Sequence, residues 1–497
     1  MASFELEEAT VADASRALRD RTTTVAELTA AYLARIEHVD RSEEGVRAVL
    51  EINAEAMDIA HGLDVELQRG APRGPLHGIP ILLKDLIDTA DSMLTTAGSL
   101  ALVQSRPQRD AECVRRLRAA GAVILGKTNL SEWANFRSDA STSGWSARGG
   151  QTANPYVLDR SPCGSSSGSA AAVAANLGMA ALGTETDGSI VCPSSVCGVV
   201  GIKPTLGLVS TAGVIPIAHS QDTVGVHGRI VADAAALLQV VAGSDGGSAP
   251  PDYVSGLRSD ALRGARIGVL RQQFCRYSPP ADALFAHALA ALHACGAVLE
   301  DPALLPSADE LATSTAELTV LYHEFHADLD AYLAERADPT VRSLEDVIAF
   351  NRAHAGEEMR HFGQEHMEAA VQKGGLDDPE YVAARAECLR LSRTEGLDAV
   401  LDAHGLDALV SVTGGPAWRR DHVNGDHHLG SSSGPAAMAG YPAVTVPMGM
   451  VAGELPVGIT FTGRAFSDAT LIALAHAFEQ ATKARRQPRF LPTLSAR

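Results

Sequence analysis

Positive charge is in short supply in this chain: 41 Lys and Arg stand against 60 Asp and Glu in 497 residues, a formal net charge of −19. Like charge repels phosphate backbones and anionic headgroups, so nucleic acid and membrane surfaces are excluded as general partners, while small neutral or cationic molecules stay open. Lysine itself is rare, with only Lys84, Lys127, Lys203, Lys373 and Lys483. Aromatic residues make up 4%, which leaves aliphatic side chains and alanine to fill the core. No apolar run approaches the ~18–20 residues of a membrane span. The opening residues, Met-Ala-Ser-Phe-Glu-Leu-Glu-Glu, lack the basic and apolar regions of a secretory signal, which predicts a cytoplasmic protein. The seven cysteines are scattered and form no C-x-x-C pair, which predicts buried free thiols rather than disulfides or a zinc site.

What is present describes a folded protein: 46% hydrophobic and 20% charged residues, on a chain long enough to bury a large core. Residues 1–70 read as an amphipathic helical layer, with helices at Thr10–Arg19, Val25–His38 behind the cap Thr24, and Asn53–Arg69. From Gly78 the pattern alternates. An apolar strand-like run carries Lys84; a helix at Gln108–Ala120, strands at Ala122–Gly126 and Val199–Lys203, and a helix at Val231–Val241 follow. Strands at Ala265–Leu270 and Ala297–Glu300 flank a helix at Ala281–His293. Residues 308–396 are almost wholly helical; strands return at Ala408–Val412, Ala443–Pro447 and Pro456–Thr462, and a helix at Asp468–Ala484 closes the pattern. Alternation of this kind predicts an α/β protein with a layered core. Because strands precede and follow the helical block, the expectation is one domain: a helical layer (1–70), a core (71–305), a helical insertion or cap (308–396) and returning core strands with a last helix (397–497).

Residues 159–191 carry the chemistry. D-R-S-P-C-G-S-S-S-G-S predicts a turn that opens a helix at about Ser169, and G-T-E-T-D-G-S-I-V presents a further serine, Ser189, on a second small-residue turn. Glycine allows close backbone approach, and free N–H groups in such turns suit a site that must hold negative charge. A glycine-rich connection without function fits as well. Phosphate binding does not: the P-loop lysine and a G-x-G-x-x-G after a strand are both missing. Upstream, Lys84 interrupts an apolar strand, where a charge is costly unless paired or neutralised. It either pairs with Asp85 or Asp88, or gives up its proton and acts as a base. At the ordinary lysine pKa of ~10.4 only about one amine in 2,500 is neutral at pH 7, so the second role requires burial to pull that value down.

G-I-P-I-L-L-K-D at 78–85, G-K-T-N-L-S-E-W-A at 126–134, S-P-C-G-S-S-S-G-S-A at 161–170 and G-T-E-T-D-G-S-I at 183–190 stand in this order in the chain. Together with V-G-I-K-P-T-L-G-L-V-S at 200–210 and G-Y-P-A-V-T-V-P-M-G at 440–449, they resemble the amidase signature family of serine hydrolases. The resemblance covers most of the chain outside the helical block. It implies a mixed β-sheet core surrounded by helices and a Ser-cisSer-Lys triad in which Ser189 is the nucleophile, Ser165 the bridging serine after a cis Gly164–Ser165 peptide, and Lys84 the base. It also implies an oxyanion hole from the backbone N–H groups of Thr186, Asp187, Gly188 and Ser189, with no metal or organic cofactor. One departure from the family pattern is Cys163, where many members carry glycine; a cysteine nucleophile of nitrilase type is the rival covalent mechanism.

S-E-W-A-N-F-R-S at 131–138, S-G-W-S-A-R-G-G-Q-T-A-N-P-Y at 143–156 and D-H-V-N-G-D-H-H-L-G-S-S-S at 421–433 are closer to the bacterial peptide amidase branch. That branch implies a small-molecule or peptide amide substrate whose C-terminal carboxamide is hydrolysed. The alternatives are general acylamide hydrolysis and the supply of ammonia within an amidotransferase complex. The oligomeric state is not legible. Asp421, His422, Asp426, His427 and His428 form a polar knot whose spacing fits no metal-ligand pattern, which predicts a loop lining a pocket. Asn129 and Glu132 resemble motif residues near the family's site, and a helix start or the core would account for them equally; Arg160 is a candidate to pair with Asp187 across the two turns.

Overall fold

The computed structural model describes residues 4–243, 251–272, 274–336 and 338–495. Eleven strands form one sheet. In chain order they are β1 (Val49–Ile52), β2 (Pro80–Lys84), β3 (Val123–Thr128), β4 (Ala180–Glu185), β5 (Val200–Lys203), β6 (Thr223–Gly228), β7 (Arg266–Val269), β8 (Val298–Glu300), β9 (Ala408–Val412), β10 (Ala443–Val451) and β11 (Leu455–Thr462). Their spatial order is β1-β3-β2-β4-β6-β5-β10-β11-β9-β7-β8. Pairing is parallel for β3-β2-β4 and for β9-β7-β8, and antiparallel elsewhere, so the sheet is mixed as expected.

Helices cover the sheet, and its central strands are buried on both faces. In β2 all five residues are buried, Lys84 included. Burial on both sides is what forces that amine to find partners inside the protein. The N-terminal helices Val11–Arg19 and Val25–Arg35 begin at capping boxes, Thr10 with Asp13 and Thr24 with Glu27, which satisfy otherwise free N–H groups at each start. Two details differ from expectation in residues 1–70. The second helix loosens into a π-helical turn at Ile36–Asp40, and β1 adds an edge strand ahead of the helix Ala56–Gln68.

The serine-rich helix spans Ser167–Ala174, starting two residues before the expected position, and every residue in it is buried. Its small side chains let it lie tight against β2, β3 and β4. At Gly168 a Cβ would stand 2.4 Å from the Ala48 carbonyl oxygen and 2.5 Å from that of Asn129, so the helix backbone meets neighbouring backbone directly. The 308–396 block supplies the helices Ala316–Arg336, Leu344–Ala353, Glu365–Ala370 and Pro379–Leu389. It is locked to the core by Arg137, whose guanidinium is fully buried, pairs with Glu132, lies 3.6 Å from Glu358 and stacks 4.2 Å above the Phe362 ring. No helix among the described residues is long and apolar enough to cross a membrane.

Backbone cannot move aside as a flexible side chain can, so Gly168→Ala should destabilise the protein by about 2 kcal/mol or more through overpacking. Urea unfolding should show a lower midpoint with an unchanged m-value.

Candidate active site

The end of β2 delivers Lys84, and the turn before the Ser167–Ala174 helix delivers Ser165. Lys84 Nζ donates to Ser165 Oγ at 2.7 Å, to Thr184 Oγ1 at 2.8 Å and to the Thr184 carbonyl at 3.3 Å. These contacts use all three ammonium protons on neutral acceptors. The alternative of a local ion pair is not realised. Asp85 accepts from the Gly98 N–H and the Thr96 hydroxyl, and Asp88 accepts from Tyr332 Oη at 2.8 Å. With no adjacent carboxylate to offset desolvation, burial pulls the Lys84 pKa down to about 7, against a weaker upward pull from Asp222 and Glu185.

The other buried lysines are tied differently. Lys127 Nζ donates to the Ile87 carbonyl at 2.6 Å and Thr95 Oγ1 at 2.8 Å, whereas Lys203 Nζ donates to the Pro204 carbonyl at 3.2 Å. Of the three, Lys84 is the one hydrogen-bonded to a serine that opens on a cavity.

That cavity has a volume of about 400 Å³ and is lined by Ser165, Thr186, Asp187, Gly188 and Ser189, among others. The Gly164–Ser165 peptide is cis. The Ser166 N–H donates to the Ser189 carbonyl at 3.2 Å and so joins the two turns. Gly188 has φ +79, a conformation favourable only to glycine, and a Cβ there would also sit 3.0 Å from Ser433 Oγ. The N–H groups of Asp187, Gly188 and Ser189 have no acceptor among the described residues.

Two supporting residues were missed in the sequence. Thr184 holds the lysine amine. Glu185, fully buried, accepts the next two N–H groups, from Ile190 at 2.6 Å and Val191 at 3.0 Å, and thereby caps the helix Val191–Val196 behind Ser189. The signal available was an acid inside a strand of small and apolar residues, A-A-L-G-T-E. A further support comes from the helical block: Glu317 accepts from Gln221 Nε2 at 2.8 Å, and the same amide donates to the Thr186 carbonyl at 3.3 Å. Glu317 also shares a hydrogen bond with Asp187, and burial with the neighbouring Asp187 charge pushes its pKa up to about 8.

Two expectations are corrected here. Cys163 and Cys192 are disulfide-bonded, with Cα atoms 6.1 Å apart, while the other five cysteines are free. Scattered positions gave no hint that the two turns fold side by side and bring these sulfurs together. A sulfur in a disulfide is not a thiolate, which removes Cys163 as a nucleophile. Arg160 does not reach Asp187; its Nε lies 3.3 Å from Asp159, and Asp187 is engaged by Ser433 and Glu317.

From the polar knot, Asp426 and His428 line the cavity. The groups of His and carboxylates that converge among the described residues lie elsewhere, His219 with Glu324 and Asp328, and His326 with Asp330 and Glu345. Asn129 has a core role, donating to the Gly150 carbonyl and Thr152 Oγ1 and accepting from Ser146. Glu132 is likewise internal, paired with Arg137.

A buried lysine hydrogen-bonded to a serine, on a cavity that a second serine also lines, is an arrangement suited to a hydrolytic enzyme. The Amidase family model matches residues 27–472, so the chain belongs to that family and is an amide hydrolase. The native peptide amidase of Stenotrophomonas maltophilia is 51% identical and superposes with a TM-score of 0.93, over 98% of this chain and 99% of that one. A probable amidase of Arabidopsis thaliana is 40% identical across 98% of this chain and 93% of its own length. A glutamyl-tRNA(Gln) amidotransferase subunit of Synechococcus is 36% identical across 94% of this chain and 96% of its own length.

Replacing Glu185 by Ala frees the Ile190 and Val191 N–H groups and loosens the turn that carries Ser189. Steady-state kinetics on a primary amide should show kcat down by about 100-fold with KM little changed, since misplacement of about 1 Å costs that much.

Proposed function

We propose that the enzyme hydrolyses the C-terminal carboxamide of peptides to acid and ammonia through Lys84, Ser165 and Ser189. The observation that carries this reading is the buried Lys84 amine, hydrogen-bonded to Ser165 at 2.7 Å and with a pKa of about 7. A serine hydroxyl is a poor nucleophile until a neighbouring base takes its proton. Neutral Lys84 takes the proton of Ser165, which takes that of Ser189. Ser189 Oγ then bonds to the amide carbon, and the oxyanion rests on the N–H groups of Thr186 to Ser189. The relay returns a proton to the leaving nitrogen, ammonia departs, and water cleaves the acyl-enzyme.

The 51% identity to a peptide amidase supports the substrate class. The domain reading is part of the same proposal: residues 308–396 act as a cap whose Leu321 lines the cavity and whose Glu317 braces the Ser189 turn. A second reading, an ammonia-supplying component of a larger complex, is favoured by the 36% identity to the glutamyl-tRNA(Gln) amidotransferase protein. It predicts glutamine hydrolysis and copurifying partner chains. The net charge of −19 counts against direct contact with tRNA. The disulfide favours an oxidising compartment over the cytoplasm.

A fluorophosphonate probe followed by peptide mass spectrometry should place the adduct on Ser189. Lys84→Ala and Ser165→Ala should each lower kcat by several powers of ten, and the double variant should be little worse than the poorer single one, because parts of one relay are not additive. Losses that multiply would argue for separate roles.

Lys84 is protonated below its pKa and neutral above it. In the wild type kcat/KM should therefore rise with pH through about 7 and then level off. A profile flat from pH 5 to 9 would remove Lys84 as the base. Peptide C-terminal amides should release ammonia while internal peptide bonds and free glutamine stay intact; equal kcat/KM for acetamide would leave a general acylamide hydrolase.

A further inference from the structure

The turn that carries Ser189 is tied to a carboxylate that the proton relay does not use. Asp222 Oδ1 accepts from the Thr186 hydroxyl at 2.6 Å, and Oδ2 accepts from the Ile217 N–H at 2.8 Å and the Ala218 N–H at 2.9 Å. Two residues before Thr186, Thr184 accepts from the Lys84 amine on both its hydroxyl and its carbonyl. Thr184, Thr186 and Asp222 all line one chamber of about 10 Å³, walled otherwise mainly by Leu86, Val214, Ile215 and Ile217. A space of that size holds no more than about one water molecule, so little solvent screens the carboxylate from the residue that holds the amine.

This placement suits a base that changes charge during the reaction. Lys84 has to be neutral before the attack, and it becomes an ammonium when the Ser189 proton reaches it through Ser165. A carboxylate in direct contact would keep the amine protonated at rest, whereas one held behind a threonine leaves it free and still favours the ammonium once it forms. Burial pushes the Asp222 carboxyl up to about 6, so it is ionised at pH 7. Of the two acids that act on Lys84, Asp222 exerts the larger upward pull and Glu185 the smaller. Three further titratable groups face the pair. His227 is held at about 3 by burial and the Lys84 charge, and so stays neutral. Asp328, on the helix Ala316–Arg336, pushes the Asp222 carboxyl further up, and His219 is paired with Asp328 at 2.8 Å.

We propose that Asp222 is a positioning residue that supplies, from behind Thr184 and Thr186, the counter-charge for the ammonium formed on Lys84 when Ser189 attacks. The proposal rests on the reading of Lys84 as the base and goes beyond it by naming the group that stabilises the charge the base acquires. Asp222 exchanges no proton and touches no substrate atom. The substitution Asp222→Asn isolates its charge. The amide oxygen can accept from the Ile217 and Ala218 N–H groups, and the amide nitrogen can donate to Thr186 Oγ1, a hydroxyl that accepts as well as donates. Each hydrogen bond of the side chain then has a counterpart, and only the charge is lost.

The test measures ammonia release from N-acetyl-leucinamide by the full chain between about pH 5 and 9, for the wild type, Asp222→Asn and Thr186→Val. In the Asn variant the rising limb of kcat/KM should move toward acid by about one pH unit, because an opposite charge that favoured the ammonium is gone. Its kcat on the plateau should fall by about tenfold, since one pKa unit is a factor of ten in the stability of that same ammonium. Thr186→Val keeps the side-chain shape and removes one donor to the carboxylate, which then protonates at a higher pH; its limb should move the same way by a smaller amount. Thermal melting checks that the variants fold, and Thr186→Val decides the question should the Asn variant not fold. A limb that stays within about 0.2 pH unit of the wild type, or moves toward alkali, overturns the role of Asp222 even where kcat falls, because a structural defect lowers the rate without moving the pKa of the base. A wild type that releases no ammonia, or whose profile has no limb, overturns the underlying reading of the relay and its substrate instead.

Discussion

An amine buried without a counter-charge is the constraint on which the site depends. Lys84 sits in a strand covered on both faces, and its partners are two hydroxyls and a carbonyl rather than a carboxylate. A carboxylate at hydrogen-bond distance would stabilise the ammonium and return the pKa toward its ordinary range, leaving almost no free base at neutral pH. The fold instead assigns the neighbouring acids to other tasks: Asp85 and Asp88 to hydroxyl and backbone donors, Glu185 to the helix behind Ser189, Asp222 to Thr186 and the Ile217 and Ala218 N–H groups. The surroundings of one lysine thus fix the positions of four acids.

Glu185 and Glu317 act on the Ser189 turn from opposite origins. Glu185 belongs to the sheet and takes the two N–H groups that follow the turn. Glu317 belongs to the helical block and reaches the Thr186 carbonyl through Gln221. The first occupies the Ile190 and Val191 N–H groups, while those of Asp187, Gly188 and Ser189 have no acceptor among the described residues. The second ties the helical block to the turn, a mechanical link in addition to the wall of the cavity that Leu321 supplies.

Much of the site was legible because its residues are unusual in their setting. A lysine in a chain that otherwise uses arginine, inside an apolar strand, identifies itself. The helix Val231–Val241 and the strand Ala408–Val412 have the bounds that their apolar patterns predict. β4 and β6 escaped notice because A-A-L-G-T-E and T-V-G-V-H-G are rich in alanine and glycine, which carry weak strand signals. Thr184 and Gln221 gain their roles only through contacts between residues far apart in sequence. The Cys163–Cys192 bond is hidden for the same reason.

That bond closes a ring around residues 163–192, and both Ser165 and Ser189 lie inside it. In the unfolded chain the two hydroxyl-bearing turns therefore stay tethered, and on the chain-entropy model a ring of this length is worth about 3.5 kcal/mol to the native state. Reduction would release the tether without touching the lysine, the serines or the sheet. The cohesion of the two serine turns is thus set in part by the thiol chemistry of the surrounding medium, and preparations of one polypeptide made under reducing and oxidising conditions are two proteins of different stability.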